Sequence, residues 1–570
     1  MANGDRLRAL GERINQERRG PTRARRASRS RSRTWLFRSL IALGLVVVLI
    51  VGGVVADYYY LGSLVHRRVV KSLQSVGSTE NILLIGSTTR CGLAVQNAAY
   101  GLCSQGVTGV NSDIVMIVHL SPTTGAVSLL SIPRDLFVPN ARIIGANKID
   151  AALYEGPSQL VTAIEEDFAI PINHYVELNF DTFANVVDAI GGVYMYFPVP
   201  IYDKESGLNI ERPGCYLLNG VRSLQVVRAR HLQIQPNPSN HQPSTWPQEG
   251  LSDLARIRRT HEFLRVIASK LAARGLGNPI TDQGIATSVL PNLTVDSGFS
   301  ESHMVSLAQR FAHTNINKIL QLTYPLIQVE TGSYLYQGYY YGDVAFPVQP
   351  NGLSTIDQVL GITNGTNAFT GTALPKSSSF PLAIVNASGT APQSQSVTTA
   401  LRAKGFRISS STTGTPVGKV GETVVWYGGP RPPASSNWTS PGLAAAQTVL
   451  AQLEGPAILG YNPSAVTPGS LVTLQIGTGP TVRPTVRPTA TTPTHSKTKK
   501  TQTGTPSSSS STAVAFDPPG VKSSAYFSAP SLVNQALEPY DPRACNLTHN
   551  GPAPTSPTTT SKVTAGSGAG

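Results

Sequence analysis

The sequence predicts an α/β protein, in which a larger domain with helices on both faces of a central sheet precedes a smaller α/β domain. Between residues 79 and 375, short apolar and β-branched runs alternate with segments of helical periodicity. This alternation is typical of helices that pack on both faces of a sheet. A stretch rich in Ser and Pro at 375–380 then separates it from a second such alternation, which ends near residue 478.

The chain begins with a basic segment and an apolar one. Residues 1–38 hold twelve arginines against three acidic residues, and the eighteen residues 39–56 carry no charge. As a helix, that apolar run spans about 27 Å, nearly the thickness of a bilayer core. Arginines on its N-terminal side predict a single transmembrane helix with a cytoplasmic N terminus. A cleaved signal peptide is the alternative, although the run exceeds the usual length.

The elements of the exported part follow in order after a stalk at 57–78. In the first domain, strands are predicted at 81–86, 113–120, 126–132, 175–180 and 193–197, and helices at 156–168, 181–190 and 253–274. Asp181 is the expected N-cap of the second helix, and the third helix is strongly amphipathic. In the second domain, strands are predicted at 382–385, 422–427 and 470–476, and helices at 394–404 and 443–453. Residues 479–570 are mainly Thr, Pro, Ser and Gly, so we expect a disordered extracellular tail.

The net charge of +14 does not indicate a nucleic-acid partner. Residues 1–38 contribute +9 and residues 480–570 contribute +5, so the folded middle is neutral. We therefore interpret the basic segment as fixing the orientation of the chain in the membrane and as attracting anionic lipid headgroups.

Four cysteines suit an oxidising exterior. Cys91 and Cys103 lie twelve residues apart in a loop-like stretch, which makes a disulfide between them plausible. Cys215 and Cys545 either pair or stay free, because spacing cannot assign partners.

Arginines occur where a ligand site is expected. Arg134 follows a buried strand, Arg228 and Arg230 project to one side if they are extended, and further arginines crowd the start of the long helix. Converging guanidinium groups bind phosphate oxygens bidentately. For Arg258 and Arg265 a solvated helix face is the simpler interpretation, and His231 and His261 are more simply packed polar residues.

Seven separated motifs follow one another along the first domain: NILLIGSTTR (81–90), NSDIVMIVHLSP (111–122), SIPRDL (131–136), NKIDAAL (147–153), VVDAIGGVYM (186–195), LLNGVRSLQVVRARH (217–231) and SDLARIRRTHEFL (252–264). Together they resemble the LytR-CpsA-Psr proteins. The 381–477 unit similarly resembles the LytR C-terminal domain. The resemblance implies a three-layer α/β/α catalytic domain with a central mixed sheet over 79–375, followed by a second domain over 380–478.

The resemblance also implies a function. Members of the family are phosphotransferases that move a glycopolymer from a polyprenyl pyrophosphate carrier to peptidoglycan at the outer face of the bacterial membrane, with Mg²⁺ or Mn²⁺. A pyrophosphatase side activity is a further expectation.

Site residues carry over by motif. The pyrophosphate-binding residues are expected to be Arg90, Arg134, Lys148, Arg228, Arg230, Arg256 and Arg259. Asp113 is expected to bind the metal, and the catalytic group comprises Arg134, Asp135, Asp113, Arg228 and Arg230. Asp135 and Asp253 are expected to orient the arginines, while Asp113 or Asp135 is the expected base.

Two positions depart from the family pattern. Thr88 stands where an aspartate that helps to bind the metal is expected, and Thr260 replaces a glutamine. An alternative function is therefore a polyprenyl-pyrophosphate-binding scaffold with weak or no catalysis. In addition, a Pro/Gln/Ser-rich insertion at 233–250 is expected to act as a lid or a partner loop.

Overall fold

The computed structural model describes Tyr60, residues 62–477 with gaps, and the short segments 485–486, 526–528 and 537–545. The gaps are 92–101, 107, 144–146, 251, 274–286, 288, 312–313, 337–338, 389–390, 415–421 and 430–439. The predicted basic segment and transmembrane helix lie outside the described residues. Among the helices that are described, none is both long enough and apolar enough to span a bilayer.

Before the second domain, the structure describes fourteen strands. They are β1 (His66–Arg68), β2 (Glu80–Ser87), β3 (Ser112–Ser121), β4 (Ala126–Ile132), β5 (His174–Leu178), β6 (Val193–Phe197), β7 (Ile201–Asp203), β8 (Leu208–Ile210), β9 (Gly214–Leu218), β10 (Gln233–Ile234), β11 (Thr294–Asp296), β12 (Leu320–Thr323), β13 (Leu326–Tyr336) and β14 (Tyr339–Gln349). The helices of the first domain are α1 (Pro157–Phe168), α2 (Phe180–Ala189), α3 (Gly220–Arg228), α4 (Ser252–Ala273), α5 (Glu301–Phe311) and α6 (Asn351–Leu360).

A seven-stranded mixed sheet in the order β1-β11-β5-β2-β3-β4-β12 forms the centre of this domain. β2 pairs with β5 in parallel and with β3 in antiparallel orientation. Alternate side chains of β2 point to opposite faces. Leu83 and Ile85 pack in the same core as α1 and α6, whereas Ile82 packs with residues of α5. Helices thus cover both faces, which confirms the predicted α/β class and the mixed sheet.

The strand directions bring several chain segments to one edge of the sheet. β2, β4 and β5 end there, and the antiparallel β3 begins there, since Ser87 pairs with Ser112 and Ile132 pairs with Val115. α2 starts directly after β5. Its N-cap is Asn179, whose side chain accepts a hydrogen bond from the Thr182 amide, and not Asp181 as predicted.

The second domain has a five-stranded sheet in the order β16-β15-β20-β17-β19. Its elements are β15 (Pro381–Asn386), α7 (Ala391–Ala403), β16 (Arg407–Thr413), β17 (Val424–Tyr427), α8 (Pro441–Leu450), β18 (Leu453–Pro456), β19 (Ile458–Tyr461) and β20 (Val472–Ile476). The predicted linker does not separate it from the first domain. Trp426 belongs to the core of the first domain, and the Tyr427 hydroxyl donates to the Glu166 carbonyl at 2.9 Å.

The predicted disordered tail is corrected for residues 537–545. Within this segment, β23 (Arg543–Ala544) pairs with β6. Earlier in the predicted tail, β21 (Thr485–Val486) pairs with β18 over two residues, and β22 (Tyr526–Ser528) pairs with β13 over three. Cys545 is joined to Cys215, so these two cysteines pair. The other disulfide joins Cys91 to Cys103. The segment 537–545 is therefore part of the first domain, despite its position near the end of the chain.

Candidate active site

A cavity of about 360 Å³ opens at the sheet edge where β2 and β4 end and β3 begins. Five arginine side chains dominate its lining: Arg90, Arg134, Arg228, Arg230 and Arg256. The other lining residues are Thr88, Gly109, Asn111, Asp113, Glu205 and Ser206. Because five cations face two carboxylates, the cavity favours a ligand with several negative charges.

Asp253, at the start of α4, holds three of these arginines. Its Oδ1 lies 3.0 Å from Arg256 Nη2, 3.4 Å from Arg230 Nε and 4.0 Å from Arg134 Nε. Arg256 also donates to the backbone carbonyl of Asp113 at 2.7 Å. A buried carboxylate shared by three guanidinium groups orients them before any ligand binds.

Asp135 has a comparable role from the other side of Arg134. It accepts from Lys148 Nζ at 2.9 Å, from Arg134 Nε at 3.3 Å and from Arg230 Nη2 at 3.4 Å. Burial alone would raise the pKa of Asp135, but Arg134, Lys148 and Arg230 outweigh it and bring that pKa to about 2. Neither Asp135 nor Lys148 lines the cavity. Asp135 is thus a positioning residue and is too acidic for the base role predicted for it. Lys148 pairs with Asp135 and does not reach the cavity, where it was predicted to bind pyrophosphate.

Arg90 and Arg228 are held against one aromatic ring. Their guanidinium carbons lie 5.3 and 4.4 Å from the centroid of Phe180, within the range of cation–π contacts. The Arg228-Ala-Arg230 segment is not extended, because Arg228 is the last residue of α3. Both arginines reach the cavity nevertheless, since the chain turns out of the helix between them.

Asp113 is the carboxylate of the cavity lining that pairs directly with an arginine of the site. Its Oδ1 accepts from Arg134 Nη1 at 2.5 Å. Burial would raise the pKa of Asp113, but Arg134 and Arg256 outweigh it and hold that pKa below its usual value. Asp113 is therefore ionised at the base of the cavity.

The side chains of the cavity do not fit a divalent metal held by the protein alone. Thr88 replaces the expected second carboxylate, and its hydroxyl accepts from the Asn111 amide at 2.9 Å. Around Asp113 stand guanidinium groups that repel a cation. No group of three carboxylate, imidazole or thiolate ligands converges at the cavity in the part of the chain that the structure describes.

Arg259 does not line the cavity, contrary to the prediction that it binds the pyrophosphate. Its side chain is fully buried. Its Nη1 lies 2.7 Å from a carboxylate oxygen of Glu249, and its Nη2 donates to the Ala229 carbonyl. The expectation of a solvated Arg258 is also wrong, because Arg258 is buried and its Nε donates to Asp541 at 2.6 Å. Arg265 is partly buried and pairs with Glu262.

The 233–250 insertion does not cover the cavity. None of its residues lines the cavity, and it folds back onto α4 through Glu249, with Trp246 buried. The segment that does reach the cavity is the β7–β8 turn, through Glu205 and Ser206. The insertion thus packs on α4 through Glu249 and is not the predicted lid of the cavity.

A narrow apolar cavity of about 70 Å³ adjoins the arginine cavity. It runs between β2 and the helices α2, α3 and α4, lined by apolar side chains that include Leu84, Ile114, Phe183, Leu224 and Phe263. Asp113, Arg228 and Arg256 line both cavities. Thr260 lines the apolar part, and its hydroxyl donates to the Arg256 carbonyl at 2.9 Å, so it does not reach into the arginine cavity.

Sequence reasoning missed several residues at and beneath the site. No sequence motif singles out Phe180, Glu205 or Ser206. For Phe180, its position just after a buried strand is a signal that could have placed it at the site. Asp150 lies beneath the cavity, where burial and then Asp135 raise its pKa to about 7. Asp150 lies in the NKIDAAL motif, but Asp135, Arg134 and Asp113, which act on its pKa, come from other segments of the chain.

Comparisons with known proteins agree with the motifs. Residues 62–345 match the model of the LytR_cpsA_psr family, and residues 379–479 match that of the LytR cell envelope-related transcriptional attenuator. A Corynebacterium glutamicum protein named probable cell wall biosynthesis protein LcpB is 32% identical over 274 residues. That match covers 47% of this chain and 60% of the relative's length, so the chain spans less than two thirds of it.

A Bacillus cereus protein named polyisoprenyl-teichoic acid–peptidoglycan teichoic acid transferase TagU is 30% identical over 271 residues, which cover 45% of this chain and 79% of the relative. Among solved structures, TagV of B. subtilis is 24% identical with a TM-score of 0.36, over 50% of this chain and 100% of that one. The chain belongs to the LytR-CpsA-Psr family.

Proposed function

We propose that the protein is a membrane-anchored phosphotransferase that moves a glycopolymer from a polyprenyl pyrophosphate carrier to peptidoglycan in bacterial cell-wall assembly. One observation carries the proposal: five guanidinium groups converge in a cavity that continues into an apolar one. A ligand with a multiply charged head and an apolar tail suits both halves. The printed names of the relatives, a cell wall biosynthesis protein and a teichoic acid transferase, support the same reaction class.

The arginines bind the pyrophosphate of the donor. Arg134, Arg230 and Arg256 are preorganised by Asp253, so little reorganisation is needed when phosphate oxygens replace water. Arg90 and Arg228 stand against Phe180 at the entrance to the apolar part. The first isoprene units of the carrier enter between β2 and α4.

The reaction is a displacement at phosphorus. A hydroxyl oxygen of the peptidoglycan acceptor, expected to be the C6 hydroxyl of N-acetylmuramic acid, forms a bond to the sugar-linked phosphorus. The bond from that phosphorus to the bridging oxygen breaks, and polyprenyl phosphate leaves with the electron pair. The arginines stabilise the charge that develops on the bridging and equatorial oxygens.

Asp113 accepts the proton of the attacking hydroxyl. In the ligand-free protein its pKa is too low for a good base, because Arg134 pairs with it. A bound pyrophosphate competes for Arg134 and adds negative charge nearby, and both effects raise the pKa of Asp113. Donor binding therefore activates the base.

The expected anchor at 39–56 keeps the site outside the cell, close to the lipid carrier. No step is assigned to Mg²⁺ or Mn²⁺, because the residues of the cavity do not form a metal site by themselves. Water as acceptor in place of the sugar hydroxyl gives the pyrophosphatase side activity.

A polyprenyl-pyrophosphate-binding scaffold with little catalysis is the second candidate. It is favoured by Thr88 and Thr260, whose hydroxyls are both engaged with backbone groups. Such a protein binds the donor but does not turn it over.

The test is transfer by the full-length protein in detergent, with lipid-linked glycan as donor and peptidoglycan as acceptor. We expect polymer-bearing peptidoglycan and one polyprenyl phosphate released per polymer transferred. Donor binding without product, under conditions in which the Bacillus cereus relative forms product, would identify the scaffold. Absence of both binding and product would refute the proposed function.

A further inference from the structure

A second group of ligand-type side chains lies at the sheet edge opposite the arginine cavity. Glu80 and His174 are the first residues of β2 and β5, and His303 lies on α5. Glu80 and His174 are buried, and one third of the His303 side chain is exposed. One ligand atom from each residue lies within 4.8 Å of the others.

The hydrogen bonds of His174 fix its tautomer. Its Nδ1 lies 3.0 Å from Asp296 Oδ2, which also accepts from the Tyr175 amide at 3.0 Å. Because an ionised carboxylate only accepts, Nδ1 carries a proton, and Nε2 is the ring nitrogen that can bind a metal ion. A carboxylate behind a histidine is the usual support of a metal-binding imidazole.

His174 Nε2 faces a carboxylate oxygen of Glu80. That nitrogen is buried, makes no hydrogen bond, and lies 3.4 Å from Glu80 Oε1. Both oxygens of Glu80 lie 2.9 Å from His303 Nε2. His174 Nε2 and a carboxylate oxygen at this distance repel each other unless a proton on Nε2 or a metal ion lies between them, and 3.4 Å is long for a hydrogen bond.

The ligand types and the 3.4 Å between His174 Nε2 and Glu80 Oε1 suit zinc, whereas the 2.9 Å between Glu80 and His303 Nε2 has to widen when the ion binds. Ligand atoms bound tetrahedrally at about 2.0–2.1 Å from Zn²⁺ lie about 3.3–3.4 Å from one another. Two imidazoles and one carboxylate are a known zinc ligand set, and they favour zinc over magnesium or calcium. The two carboxylates, Glu80 and Asp296, also balance a divalent charge.

We propose that Glu80, His174 and His303 bind a Zn²⁺ ion, with Asp296 orienting His174 and water in the fourth position. The partly exposed side of His303 is the entry path. The ion ties β2, β5 and α5 together at the edge of the sheet away from the arginines. This site is independent of the proposed transferase reaction.

The test uses full-length, tag-free protein in detergent, stripped with a chelator and titrated with zinc sulfate against a chromophoric competitor. We expect one Zn²⁺ per chain, a higher Tm with zinc, and at least ~100-fold weaker binding in His303→Ala. His241→Ala removes an exposed histidine of the insertion and is the matched control, with wild-type affinity expected.

A second variant guards against misfolding of the first. Glu80→Gln keeps the size of the side chain and should weaken zinc binding at least about 10-fold, because losing even the outer partner of a ligand costs about 10- to 100-fold. X-ray absorption of the loaded protein should show nitrogen and oxygen neighbours at about 2.0–2.1 Å. Less than one tenth of an ion per chain in wild type, or equal affinity in wild type, His303→Ala and Glu80→Gln, would overturn the proposal and leave a protonated His174 between two carboxylates.

Discussion

Replacing Asp541 by asparagine removes the charge that two buried arginines of α4 face. Asp541 is fully buried, and its Oδ2 accepts from Arg258 Nε at 2.6 Å and from the Glu538 amide at 2.7 Å. Arg259 Nη1 lies 3.9 Å from its other oxygen. Breaking a buried ion pair on one side costs about 3–5 kcal/mol, because the remaining charge stays buried. At about 2–4 °C per kcal/mol, the Tm of Asp541→Asn should fall by roughly 6–20 °C.

The assay is thermal unfolding of the oxidised full-length protein, followed by circular dichroism, with limited proteolysis as a local probe. Glu538→Gln is the matched control, because it makes the same charge change in the same segment at an exposed position. The control should unfold like wild type. An Asp541→Asn Tm within about 2 °C of wild type, with unchanged protection of the segment, would refute the reasoning that this carboxylate stabilises α4.

Three further predictions concern the arginine cavity. Arg256→Lys keeps the charge but loses the planar guanidinium, so the transfer rate should fall about 100-fold. Arg265→Lys, on the same helix but outside the cavity, is the control. An equal loss of transfer in both variants would argue against a direct role for Arg256. Thr88→Asp adds a carboxylate to the lining of the cavity and should make transfer several-fold sensitive to Mg²⁺ and EDTA, whereas an unchanged response in metal titrations would contradict our account of the missing ligand. The pKa of Asp150 is raised from 3.8 to about 7 by burial and Asp135, so the folded state binds this proton more tightly than the unfolded state. Up to about 4 kcal/mol of stability present at low pH is then lost between pH 4 and pH 7; Asp150→Asn should flatten this slope of Tm against pH, and an identical slope in the variant would show that another group is responsible.

Local patterns in the sequence were sufficient for the fold class. Apolar, β-branched runs and turn residues predicted β2, β3 and β4 to within one residue at each end, and an amphipathic pattern predicted α4 equally well. The strands β16, β18 and β19 were missed, because β16 is mostly polar and the other two are short and each contain a glycine. Such strands are defined by their pairing partners more than by their own composition.

The site was predictable where a residue's position in an element decides its role. Arg134 follows a strand that ends at the sheet edge, and that fact alone directs it to the cavity. Arg256 and Arg259 lie three residues apart on α4, yet only Arg256 reaches the cavity. The difference is made by Glu249 and Asp541, whose approach to Arg259 depends on tertiary folding. No local pattern contains that information.

The disulfide between Cys215 and Cys545 has a consequence for the connectivity of the chain. These cysteines are separated by 330 residues, so the bond closes a covalent ring that contains the whole second domain. A protease that cuts once anywhere inside this ring leaves two pieces joined through sulfur. On a non-reducing gel such a cut protein keeps its full mass, and only a reductant separates the two pieces. As long as this disulfide stays oxidised, the second domain therefore remains attached to the first even after its peptide connection is broken.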